Sequence, residues 1–536
     1  MKNRIYIKDW LLLKPYTRHT VTDNYYLRIS NEVKKVFARS KYLFIIQRYI
    51  NDDEINILSC FLTSYFEDII SETNIWNSFV NMHKRLYKKP LPFYNTDEYY
   101  EEEINHQDVR FLIWYFLNAF QDETYVEPIN RFIFDLADEI MEVFDKAWDD
   151  APENDYLKTF YQIDENEEDY YVVRNMIETI LFGTYLFYPD TLQKLSQYVI
   201  ELLDEASDEE QAVMLINEIR DKTLHTIHTH LLSLKGKEWT AEILGKDHRL
   251  SEDLLNISER ISAFFLYKGQ DENNIFIEHI ASGKKFDLTK KSFDHSDELK
   301  EIDTIMYLGM VQWKGEWWFS GVYFQRTFDA NIVLDEKNSV ESRMAVSFLD
   351  FQKNKADESL KKQMDVFLEF NNGSQIAFIS SDEINKFNKE FVKYYIDSLN
   401  SSKKEIEEAK QRARKEGFFG SDDESIDFSG DSEPGFVFYN PKSGIEIGFY
   451  VNSAFPSPNN PFFDEAQSEE DLKRLLISED FSKELAMYCV DNYKTKLPFF
   501  KSDLGKRYLQ DFDFLLRFWK TDNYHATPKI AYTGSE

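Results

Sequence analysis

The hexapeptide HTIHTH, residues 225 to 230, gathers three of the chain's ten histidines, and imidazoles this close together raise the question of a transition metal. On an unbroken helix His225 and His228 lie about 60° apart and His230 falls well away from both, so the three share a metal only where the helix breaks. Leu224, Ile227, Leu231 and Leu234 form an apolar stripe with His228 on its border. The stretch therefore reads as an amphipathic helix carrying surface or border histidines. Glu103 and His106 have the i, i+3 spacing of carboxylate and imidazole used by di-iron helix bundles. That site needs two such motifs and two further glutamates, and no other histidine has a glutamate three residues before it. Asp135, Asp138, Glu139 and Glu142 lie along one helix and could add carboxylates, although an exposed acidic face is the simpler account. These histidines and carboxylates support one alternative function, a metal-dependent hydrolase.

Other routes to chemistry are poorer. Counted from Asp423, Ser425 and Asp427 match a calcium loop, but Phe428 stands where glycine is obligatory and Pro434 where the closing glutamate belongs. No GxxxxGK[ST], GxGxxG, GxSxG or HExxH motif occurs. Cys60 and Cys489 are the only cysteines, too few for a disulfide framework or a thiolate zinc site, and both sit among apolar helical neighbours where a thiol is inert. No catalytic residue, metal or cofactor is assigned, and the balance leans away from an enzyme.

Two further clusters bear on binding. Trp313, Trp317, Trp318, Phe319 and Tyr323, with Lys284, Lys285, Lys290 and Lys291 nearby, suggest a base-stacking platform with basic flanks. Aromatics in a small barrel are more often its core, and nucleic acid stands as a second alternative. In the hairpin at 436 to 463, Glu446 lies between Ile445 and Ile447, so the two-residue period of a strand turns it to the opposite face, toward water. With Asn440, Lys442 and Asn452 it could instead line a pocket.

The elements that must position these residues fall into three parts. From Thr22 to about Gly236 the apolar spacing is helical, with Thr22 and Asp23 as caps of the first long helix and FLIWYFL, 111 to 117, apolar nearly all round. Near Ile261 the period switches to two, and AFFLYK, NIFIEHI, KKFDLT, TIMYLGMVQW and EWWFSGVYF predict five short strands in a small antiparallel barrel. A helix at ESLKKQMDVFLEF, a strand at QIAFIS, a helix capped by Ser380 and Glu383, a hairpin turning at Asn440 to Gly444, and helices from about Glu469 to Trp519 follow. The expected fold is α+β and multidomain: an irregular helical domain over 1–255, the barrel over 256–345, and an α+β domain over 346–536 with an acidic flexible loop at about 401–434.

A composition of 43% hydrophobic and 30% charged residues describes a folded chain, and 536 residues exceed what one core supports. Lys and Arg number 63 against 96 Asp and Glu, a formal charge of −33, which repels phosphate backbones and favours basic partners. Between Asn95 and Tyr170 there are 23 acidic residues and four basic ones. The N-terminus lacks the apolar stretch of a secretory signal, and the longest apolar run falls far short of a membrane span of roughly 20 residues. The expectation is a cytoplasmic protein with no membrane contact.

Four stretches, IKDWLLLKPY at 7–16, DVRFLIWYFLN at 108–118, AWDDAPEN at 147–154 and FVFYNPKSGIEIGFYVNSAFPSPNNPFF at 436–463, resemble a bacterial domain-of-unknown-function family found mainly in gut anaerobes. The resemblance implies a compartment and a class, with no activity, cofactor or site residues. The barrel segment also resembles small β modules attached to bacterial helical proteins that sometimes carry zinc-binding tails; the cysteines for such a tail are missing. The functional expectation is a non-enzymatic binding or adaptor protein that offers residues 95–170 to a basic protein partner, with Tyr99, Tyr100, Tyr170 and Tyr171 as anchors.

Overall fold

The computed structural model describes residues 4–121, 124–205, 208–350, 353–399 and 434–525. The chain divides into two compact units, Met1–Arg260 with Leu288–Asp294 and Leu308–Tyr323, and Ile261–Asp287 with His295–Tyr307 and Phe324–Glu536.

Through residue 255 the chain is helical, as the spacing predicts. The helices used below are α1 (Val21–Arg39), α2 (Asp52–Ser71), α3 (His106–Ala119), α4 (Arg131–Ala147), α5 (Tyr170–Gly183) and α6 (Glu209–Thr226). The α1 cap is Thr20 rather than Thr22: its hydroxyl accepts from Asp23 N while the Asp23 carboxylate accepts from Thr20 N, a reciprocal capping box. The seven residues FLIWYFL of α3 are all buried, as an all-round apolar helix requires.

Burial in this part extends to charge. Lys14, Glu67 and Asp23 are almost wholly enclosed, and each is partnered, because an unpaired buried charge is prohibitively costly. Lys14 pairs with Glu67 and lies 4.0 Å above the Trp10 ring, Asn154 Nδ2 donates to Glu67 Oε1 at 2.8 Å, and Trp10 Nε1 and Tyr16 OH both donate to Asp23 Oδ1. Two stretches far apart in sequence, 7–16 and 147–154, thus meet in one buried network.

The period-two segment forms five strands, β1 (Ile261–Gln270), β2 (Asn274–His279), β3 (Lys285–Thr289), β4 (Ile305–Trp313) and β5 (Glu316–Arg326), closed in the order β1-β2-β3-β5-β4. The expected barrel is there, but it is not antiparallel throughout. Leu288 of β3 pairs with Trp317 of β5 in parallel, because the chain leaves β3 through two short 3-10 turns, lays down β4, and returns along the other side of β3. This order is that of an OB-type barrel, a likeness of shape that carries no activity.

The later sheet has the order β6-β7-β8, with β6 (Ile376–Ser380), β7 (Pro434–Asn440) and β8 (Gly444–Phe449) antiparallel. Helices α7 (Lys353–Phe370) and α8 (Ser381–Ser398) flank it, and Phe367, Ile384, Phe391, Val437 and Tyr439 form its core. Ser380 is the α8 cap residue, but the expected capping box does not form: its side chain makes no cap hydrogen bond, and its hydroxyl lies 3.4 Å from the Glu383 carboxylate. The hairpin turns at Asn440, whose Oδ1 accepts from Lys442 N and Ser443 N. The acidic stretch expected as a flexible loop, 401–434, and with it the rejected calcium loop, lies outside the described residues apart from Pro434, which opens β7. No described helix is long and apolar enough to cross a membrane.

Candidate functional site

The histidine cluster is the first expectation to be revised. Helix α6 stops at Thr226, with Ile227 extended, instead of running on to Leu234. His228 bridges to Lys235 in antiparallel fashion, and Leu232 and Ser233 between them take left-handed backbone conformations. The break that a shared metal would need exists, yet the three imidazoles go to separate places. His230 Nδ1 lies 2.8 Å from Asp190 Oδ1, and its backbone N–H donates to Asp190 Oδ2. Burial pushes the Asp190 carboxyl up, but His230 and Lys194 outweigh it and hold the group below the usual carboxylate range.

His225, in the last turn of α6, enters a polar cluster no sequence motif marks. Its Nε2 lies 2.9 Å from Tyr170 OH and 3.5 Å from Ser320 Oγ. Asp221, one turn earlier, accepts from Arg174 Nε at 2.8 Å, from Arg260 Nε at 2.7 Å, and from Ser320 Oγ, 2.9 Å from both carboxylate oxygens. Arg260 also donates to Glu218 Oε2 at 2.8 Å and to the Ser320 carbonyl at 3.1 Å. Arg174 reaches Glu178 at 2.9 Å, and Arg220 pairs with the other oxygen of Glu178. Three guanidiniums therefore face three carboxylates, a balanced set that satisfies the demand for pairing in a low-dielectric interior.

The geometry states what this cluster does not do. Serine, histidine and aspartate are present, but the Ser320 hydroxyl is committed to Asp221, and Asp221 bonds to arginines instead of orienting the histidine, so the proton path of a hydrolytic triad is absent here. Ser320 is also enclosed. Burial drives His225 down to about 4 against the upward pull of Asp221, so the ring is neutral near pH 7, with Nε2 in hydrogen-bond reach of Tyr170 OH. For Asp221, Arg260, His225 and Arg174 overcome the effect of burial and lower the carboxyl.

Room for Arg260 comes from two glycines. A Cβ on Gly309 of β4 would fall 2.3 Å from Arg260 Nη2, and one on Gly321 of β5 would fall 2.2 Å from it. Gly321 also has φ +97, a conformation that favours glycine. Isolated glycines inside strand patterns signal close approach of other atoms, and these two were the one sequence clue to the cluster.

Above the cluster, α5, α6 and β5 enclose a cleft of about 340 Å³. Tyr171, Arg174, Glu178, Asn217, Arg220 and Phe319 are prominent in its lining. Tyr171 OH donates to the carbonyls of Ser292 and Phe319, at 2.9 and 3.1 Å, which fixes that wall.

The remaining sequence candidates are dispersed. Glu103 precedes α3, which begins at His106, so the two do not share a helical face; His106 and Arg110 both reach Asp138 at 2.9 Å. Asp135 pairs with Lys41 and Tyr42, and Glu142 with Lys146. Among the described residues no group of three or more His, Cys, Asp or Glu side chains is placed to hold a metal ion. In the barrel, Trp313 and Trp318 are buried with Tyr170, Ile177 and Leu254, whereas Trp317, Phe319 and Tyr323 are half-buried. Lys284 pairs with Asp350 and Lys291 with Glu316, at 2.5 and 2.8 Å. Glu446 lies on the face opposite Ile445 and Ile447 as expected but is half-buried rather than open to water: it accepts from Asn440 Nδ2 and from Ser482 N and Oγ, which ties the hairpin to the cap of α9 (Lys483–Tyr493). Asn452 is enclosed separately and Lys442 is exposed, so those four residues form no common pocket. Of the four tyrosines expected as anchors, Tyr170 is buried, Tyr99 and Tyr171 are half-buried with hydroxyls bonded inside, and Tyr100 is exposed.

Residues 4–263 match the model of a family described as "Protein of unknown function (DUF3843)". The match covers the first three of the four stretches that carried the resemblance, and the hairpin at 436–463 lies beyond it. No curated protein and no solved structure matches the chain.

Proposed function

We propose, from a family match that assigns no chemistry, that the chain is a non-enzymatic cytoplasmic binding or adaptor protein whose acidic helical surface engages a basic protein partner. One observation carries this reading. Of the 23 acids between Asn95 and Tyr170, Asp122 and Glu123 lie outside the described residues, and 18 of the other 21 are exposed. A surface with so few interspersed bases repels itself, and a basic partner relieves that repulsion while gaining a faster approach. Tyr100, 60% exposed, and Tyr156, 45% exposed, offer aromatic area beside the acids. The division 1–255, 256–345 and 346–536 is proposed with it, the first part bearing the surface.

The test is a pull-down from lysate at low and moderate salt, comparing the parent chain with a variant carrying Glu139→Gln, Glu142→Gln, Asp145→Asn, Asp149→Asn and Asp150→Asn. Partners lost both on adding salt and in the variant support the reading. Recovery of the same set from the variant overturns it.

A further inference from the structure

We propose that the cleft between α5, α6 and β5 is a binding site for a small anion carrying a planar ring, an aromatic carboxylate or an aryl phosphate, independent of the acidic surface. The charges at this cleft balance, but guanidinium N–H donors are left over. Arg174 and Arg220 share one carboxylate, Glu178, and a guanidinium has five N–H donors in a planar fork. Arg174 spends Nε on Asp221 and Nη1 on Glu178, and Arg220 spends Nη2 on Glu178. Their remaining N–H groups have no protein acceptor among the described residues. A carboxylate or phosphate supplies oxygens in the matching geometry.

The second element is preorganisation. Arg174 cannot swing away, because its Nε is held by an Asp221 that Arg260 and Ser320 also hold, so little ordering is left for the ligand to impose. Arg220 is half-exposed at the mouth, where it can close on an arriving anion. The amide of Asn217, one turn before it, is exposed and makes no hydrogen bond within the described chain, which adds a donor and an acceptor to the rim. The half-buried rings of Tyr171 and Phe319 line the same cleft and offer faces against which a flat group packs. A volume of about 340 Å³ sits at the lower end of small-ligand sites, which fits one ring with an acidic substituent. On a chain of charge −33, a cleft with spare guanidinium donors is a local exception.

Saturation-transfer NMR on the full chain tests this with benzoate and phenyl phosphate as probes and benzyl alcohol as the neutral comparator. Saturable signals from at least one anion, weakened about tenfold or more by Arg220→Gln, are the expected result, and which anion binds more tightly identifies the acid. Asn217→Leu provides a second, independent weakening should Arg220→Gln perturb the fold, and Arg131→Gln on α4 leaves binding unchanged. Absence of saturable binding by both anions, equal affinity in the parent and both cleft variants, or equally tight binding of benzyl alcohol overturns the proposal.

Discussion

Arg260 Nε donates to Asp221 Oδ2 at 2.7 Å with the two side chains only 3% and 1% exposed. One contact thereby joins the residue that leads into the barrel to the penultimate turn of α6. An ion pair this enclosed is tolerable only while it is complete, because each charge has surrendered its water.

Asp221→Asn removes the charge that Arg174, Arg260 and the Ser320 hydroxyl all share. The expected cost is about 3–5 kcal/mol, the range for breaking one side of a buried pair, read as a lower urea midpoint with an unchanged slope. A midpoint within about 1 kcal/mol of the parent would show that solvent reaches the pair.

Two alanine substitutions separate space from backbone strain. Gly283→Ala meets no atom within 4 Å and pays only for its φ of +73, about 1–2 kcal/mol. Gly321→Ala has comparable strain and also drives a methyl against the pinned Arg260 guanidinium, so its melting temperature falls further. Equal shifts in calorimetry would mean the arginine moves aside freely.

Asp108 accepts from Tyr65 at 2.6 Å and from Tyr99 at 2.9 Å, yet burial outweighs these bonds and raises its carboxyl to about 7. An unfolded aspartate titrates near 3.9. Between those values the folded chain holds a proton that the unfolded chain has lost, so this residue makes stability fall as pH rises from about 4 to 7, by up to about 4 kcal/mol. Asp108→Asn flattens that slope in urea titrations across the window; an unaltered slope would place the effect elsewhere.

His225 works in the opposite sense. Lowered to about 4 by burial, it charges in the unfolded chain first, so its contribution is complete above about 6.5 and is lost as pH falls toward 4. His225→Gln reduces the acid lability of the parent, measured as the change in melting temperature between pH 6.5 and 4.5. No change would count against a buried neutral ring.

Cys60 and Cys489 are both free and fully buried, and burial pushes the Cys60 thiol up to about 12 and Cys489 higher still. Thiolate being the reactive form, neither is expected to react with a thiol reagent under native conditions, and both should react in denaturant. Fast native labelling of one equivalent would reveal local opening.

Much of this architecture was legible in the chain itself. The change from a 3.6-residue to a two-residue period near Ile261 marks the start of β1, and the five apolar-aromatic runs that follow are the five barrel strands. The burial of Cys60 and Cys489 followed from their apolar neighbours. The end of α6 did not: a leucine stripe continues past Thr226, yet Ile227 is extended and the His230 N–H goes to a distant acceptor, Asp190. Glu446 shows the same limit, since period two gives its face but not the Ser482 cap that meets it there.

Local periodicity, composition and turn residues determine which segments become helix or strand, because those preferences act over a few residues and are written next to one another. Sequence alone therefore determined a helical part, a five-stranded barrel, a later mixed part and a strongly acidic exterior. The pairing of Arg174, Asp221, Arg260 and Ser320, the parallel partnership of β3 with β5, and the cleft that Arg220 borders depend on contacts between residues up to about 150 positions apart. Such contacts form only once burial has stripped the charges of water and made one partner so much better than none, which is a property of the packed interior and of no short stretch of chain.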